Sequence, residues 1–92
     1  MEIKRIMCCC GSGLGSSMLV RMNTEDVLKK MGVKGIDVTH SSLSDCNEQA
    51  ADLFIVGGDL ASFVDHLPNK IILNNIMDKK ELEEKLREKL GL

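Results

Sequence analysis

Apolar residues fall in short runs along this chain, and the spacing within the runs alternates between two periods. Ile3, Ile6 and Met7 lead into Cys8, Cys9 and Cys10 without clean alternation, so residues 2–10 read as a parallel strand covered on both faces. From Met18 the spacing lengthens. Val20, Val27, Leu28 and Met31 recur at three- and four-residue intervals, with Met18, Leu19 and Met22 widening the stripe near its start. That predicts a helix capped by Ser17 or a neighbour and closed by Gly32. Ile36 and Val38 mark a second strand over 34–40, and the run from Leu53 to Val56 marks a third over 52–56. Between them, the polar stretch 41–51 predicts a short helix over 45–50. Another short helix is expected from Leu60 to about Asp65, broken at Pro68, with a fourth strand over 70–73. Asp78 and Glu81 form a capping box ahead of a last helix. Leu82, Leu86 and Leu90 dock that helix, while Glu81–Lys85 and Glu83–Arg87 pairs support its exposed side.

Strand–helix alternation of this kind implies an α/β fold with a parallel sheet, helices on both faces and right-handed crossovers. For four strands the expected order is 2-1-3-4. Ligands of open α/β sheets bind at the carboxyl edge where the strand order reverses, which here is the end of the first strand.

With 92 residues the chain is expected to form a single domain, 1–92. Two Phe and no Tyr or Trp leave the core to Ile, Leu, Val and Met. A net charge of −2 and no basic tail argue against nucleic acid as a partner. No run approaches the roughly 20 apolar residues that span a bilayer, and only a short apolar run follows Lys4 and Arg5. A cytoplasmic protein without membrane insertion is therefore expected. Three of the four cysteines are consecutive, and neighbours in a strand point to opposite faces. They make a poor disulfide framework and are expected to be reduced thiols, with Cys8, Cys9 and Cys46 inert.

The chemistry concentrates in Cys10-Gly11-Ser12-Gly13-Leu14-Gly15-Ser16-Ser17-Met18. A cysteine at a strand end is, taken alone, usually a small buried hydrophobe. Here a loop of glycines and serines follows it and opens a helix. Main-chain N–H groups and the positive end of the helix dipole then form a cradle for a dianion, with a thiol at its rim. A helix N-terminus also lowers a thiol pKa, so Cys10 is expected to be largely thiolate at neutral pH. The absences are equally informative. Position 16 is Ser where a Cys-x5-Arg phosphatase loop carries Arg, and no Lys or Arg occurs between Cys10 and Arg21. Such a loop should hold a phosphoryl group yet hydrolyse it poorly. A hydrolase or reductase on a phosphatase-like loop is the alternative, and an anion-sensing module without covalent chemistry is a third.

In these residues, and in the following Met18-Leu19-Val20-Arg21-Met22, the chain resembles the enzyme IIB components of the bacterial sugar phosphotransferase system (PTS), of the lactose and ascorbate types. The resemblance implies a three-layer α/β sandwich of Rossmann-type, phosphatase-I-like topology. It also implies a phosphohistidine–sugar phosphotransferase activity. Carried over, Cys10 is the phosphocysteine, charged by a histidine of the IIA component. Gly11, Ser12, Gly13, Leu14, Gly15, Ser16 and Ser17 bind the phosphoryl oxygens. The acceptor is a sugar held by the membrane component IIC, through which the chain would associate peripherally with the membrane. No metal or cofactor is implied.

Other candidates have plain readings. Gly11-x-Gly13-x-Gly15 is one residue short of a dinucleotide-binding pattern. His40 is expected at the carboxyl edge near the cysteine loop, as a surface histidine or a contact to phosphate or partner. Asp59 is placed at the same edge, assisting transfer or capping a short helix, and His66 at the far edge. Met18 and Met22 are first of all core residues, or a partner patch where they reach the surface.

Overall fold

The computed structural model describes residues 3–10, 15–42, 47, 49–67, 69–75 and 78–91. Its strands are β1 (Arg5–Cys10), β2 (Asp37–Ser42), β3 (Leu53–Gly57) and β4 (Lys70–Leu73), and its α-helices are α1 (Gly15–Lys30) and α2 (Lys79–Leu90). A 3-10 helix, Gly58–Val64, follows β3. All strand pairs are parallel and the order is β2-β1-β3-β4, as the alternation of elements predicts.

Period-two alternation sorts the strand residues into two cores. Ile6 and Cys8 of β1, Leu53 and Ile55 of β3, and Ile71 and Leu73 of β4 pack with Val20, Val27, Leu28, Leu82 and Leu86 from the two α-helices. Cys9, Phe54 and Val56 point the other way and pack with Ala51, Val64 and Leu67, with Met7 and Ile72 at the margin. Both α-helices therefore cover one face. Among the described residues the opposite face is covered by the 3-10 helix, where the sequence predicts a short α-helix. Only seven residues are available there, and a Cβ on Gly58 would lie 3.5 Å from the Leu73 carbonyl oxygen. A stretch this short suits the tighter helix, which is used in short pieces. Lys70 Nζ closes its end, donating to the carbonyls of Val64, Asp65 and Leu67 at 3.2–3.3 Å. The short helix expected over 45–50 falls largely outside the described residues. Its described part is a turn, with the Gln49 N–H on Asn47 Oδ1 and the Ala50 N–H on the Asn47 carbonyl.

Helix α1 ends as its sequence predicts. Gly32 takes φ +74°, the Val33 N–H bonds the Leu28 carbonyl and the Gly32 N–H bonds that of Lys29, the paired bonds of a Schellman cap. Its start and its stripe differ from expectation. The helix already begins at Gly15, and Met18 and Met22 are exposed, at 47% and 57%. Asn23 and Thr24 are buried in their place. Thr24 is tolerated inside because its hydroxyl donates to the Val20 carbonyl at 2.7 Å.

Helix α2 keeps the expected Asp78 cap, whose Oδ1 accepts from the N–H groups of Lys80 and Glu81. Glu81 does not complete the box on Asp78. Its carboxylate reaches past the cap to the N–H groups of Asn74 and Asn75, and pairs with Lys85. The Asp78 N–H bonds the Asn75 carbonyl instead. Both expected ion pairs, Glu81–Lys85 and Glu83–Arg87, form.

Candidate functional site

Three strands end together at the carboxyl edge. The β1–β2 register sets Cys10 beside Ser42, and Cys8 lies beside Ile55 of β3. Continued by two residues, the second register brings Cys10 level with Gly57, the last residue of β3. From Cys10 the chain leaves for α1 and then β2 on one side, while β3 lies on the other. Cys10 is thus the last residue of β1 at the point where the strand order reverses, the position the topology reserves for ligands.

Of the residues assigned to phosphate, Gly11, Ser12, Gly13 and Leu14 lie outside the described residues. Gly15, Ser16 and Ser17 form the first turn of α1, which contains no acidic residue. The positive end of the helix dipole therefore meets no carboxylate from that turn.

The neighbouring cysteines have different fates. Cys8 is fully buried and free, its Sγ 4.0 Å from Thr24 Oγ1. Burial pushes its thiol up to about 12, against the smaller favourable influences of Thr24 and Arg21. It stays a protonated thiol at neutral pH and is chemically inert, as expected. Cys9 corrects the expectation of reduced, inert thiols: it is disulfide-bonded. Cys46 lies outside the described residues.

Arg21 is the site's main addition to what the sequence suggests. Its Nε donates to Glu25 Oε1 at 2.9 Å, one turn along α1. Its Nη1 lies 3.3 Å from Nδ1 of His40 on β2. A guanidinium can only donate, so His40 Nδ1 is the accepting atom of this contact. His40 is therefore not a detached surface histidine; it is half-buried and tied to α1. The Arg21–Glu25 pair was legible as an i,i+4 spacing. The reach to His40 depended on how β2 sits beside α1. His66 is exposed in the turn before β4, away from this edge, and Asp59 belongs to the 3-10 helix that starts after Gly57.

No helix among the described residues is long and apolar enough to cross a membrane. Residues 5–88 match the family described as PTS system, Lactose/Cellobiose specific IIB subunit. The chain is also similar to the ascorbate-specific PTS system EIIB component of Mycoplasma pneumoniae, 30% identical over 84 residues that cover 88% of each chain. A four-stranded 2-1-3-4 sheet, a cysteine closing its switch-point strand and a family match over nearly its whole length lead to one assignment: the chain belongs to the IIB family of the sugar phosphotransferase system and is a phosphoryl carrier of that system.

Proposed function

We propose that Cys10 is the residue that carries the phosphoryl group and that residues 11–17 bind its oxygens. The supporting observation is that Cys10 ends β1 and the acid-free first turn of α1 begins at Gly15, with only the sequence Gly11-Ser12-Gly13-Leu14 between them. The Cys10 thiolate attacks the phosphorus of a phosphohistidine on a IIA component. The S–P bond forms, the N–P bond breaks, and its electron pair returns to the imidazole. A hydroxyl of a sugar held by the membrane component IIC then attacks the same phosphorus. The S–P bond breaks, the hydroxyl proton goes to a base, and the thiolate is restored. Each step spreads negative charge over three phosphoryl oxygens, so fixed N–H dipoles are sufficient apparatus. Without a guanidinium in the loop, water is a poor acceptor and the adduct survives until the sugar arrives. The protein works in the cytoplasm, at the membrane only through its partner.

Incubation with a phosphorylated IIA protein, followed by intact-protein and peptide mass spectrometry, tests this reading. A phosphoryl adduct on Cys10, absent in Cys10→Ser, is expected. Rapid turnover of an aryl phosphate by the isolated protein would favour a hydrolase and overturn it.

A further inference from the structure

We propose that Arg21 is a positioning residue for this site: it sets a positive field beside Cys10 while Glu25 and His40 hold its guanidinium back from the phosphoryl group. The inference rests on the assignment of Cys10 as carrier and adds the cation that the loop itself lacks.

Placement follows from the elements. Thr24 of α1 stands level with Cys8, as the 4.0 Å contact shows. Arg21 is three residues nearer the start of α1, about 4.5 Å along the axis. Cys10 is two residues further along β1, about 6.6 Å in the same direction. The Arg21 backbone thus lies between the levels of Cys8 and Cys10, on the β2 side, while its guanidinium bonds His40, the residue beside Cys8 in the β1–β2 register. Burial dominates the upward shift of the Cys8 thiol; the Arg21 charge lowers it and that of Glu25 raises it. Two fixed partners limit its reach. Nε is taken by Glu25, and Nη1 by His40 Nδ1, from an adjoining strand. The side chain is 40% exposed, so the field is partly screened and modest. The charged and titratable groups shown facing it are Glu25 on its own helix, His40 on β2 and Cys8 on β1.

A charge held at this distance favours both the thiolate and its dianionic adduct. It does not bond the transferring oxygens, which is what a phosphatase arginine does to speed attack by water. The arrangement therefore separates capture of the phosphoryl group from its loss.

The test reads Cys10 without any phosphoryl donor. The pH profile of its alkylation by iodoacetamide is followed by fragment-resolved peptide mass spectrometry in the wild type, Arg21→Gln, Arg21→Lys and Glu25→Gln. Removing one partly screened charge beside the site should raise the midpoint by roughly half a pH unit in Arg21→Gln. Arg21→Lys should restore most of it, and Glu25→Gln should move it the other way. Thermal midpoints of these surface variants should stay close to wild type, which separates the field from a folding defect. An unchanged alkylation midpoint in Arg21→Gln, or equal shifts in Arg21→Gln and Arg21→Lys, overturns the proposal. Failure of the carrier reading shows separately, as no adduct on wild-type Cys10 with a phosphorylated IIA protein.

Discussion

The two α-helices lie on the same face of the sheet, yet their N-termini are built for opposite ends. Helix α2 is closed. Asp78 accepts from two N–H groups of its first turn, and Glu81 sits in that turn and ties it to Asn74 and Asn75. Gly91 at φ +74° closes the other end. Helix α1 is closed at its far end by Gly32, and its first turn carries no acid. Its flank keeps two methionines in solvent. The lesson is that a helix N-terminus is either satisfied by the chain or left for a ligand. In this chain the acid-capped one stands after the last strand, and the one whose first turn lacks an acid follows Cys10.

The comparison can be broken in four places. Truncating the docking stripe of α2 has the largest effect. Leu86 is fully buried, so Leu86→Ala should cost about 2–5 kcal/mol in urea unfolding. Phosphoryl uptake per folded molecule should not change. Closing α1 as α2 is closed, by Ser16→Asp, should slow phosphoryl uptake by roughly a hundredfold, because a carboxylate would occupy the cradle's field. The thermal midpoint should not fall, since an acid in a first turn suits a helix. Removing the acid cap of α2, by Asp78→Ala, should cost about 1 kcal/mol and leave phosphoryl uptake alone. The smallest effect is one of pH. Bonds from Asn74 N–H, Lys85 and Asn75 N–H hold Glu81 down to about 2, from an ordinary 4.5. Its contribution is complete above about 4.5 and disappears as the pH falls toward 2. The acid side of a stability–pH curve should therefore flatten in Glu81→Gln.

Most of the architecture was legible because periodicity reports burial directly. Leu82, Leu86 and Leu90 gave α2, and Gly32 gave the end of α1. Where the reading failed, a tertiary constraint decided the outcome. Met18 and Met22 read first as core because they extend an apolar stripe, but both are exposed. Thr24 interrupts that stripe and is nonetheless buried, because its hydroxyl finds the Val20 carbonyl. The capping box was half right, because Glu81 found two N–H groups in the preceding loop that no spacing rule anticipates. At the site, Cys10 and its loop announced themselves by residue type and order. The link from Arg21 to His40 could not be read, since it joins residues on separate elements.

The account depends on main-chain N–H groups holding a phosphoryl group on sulfur. Amide 15N–1H spectra recorded before and after phosphorylation test that most directly. With Cys10 phosphorylated, the amides of residues 11–17 should move strongly downfield, and those of the first turn of α2 should stay in place. A phosphorylated protein whose 11–17 amides do not move would contradict the account.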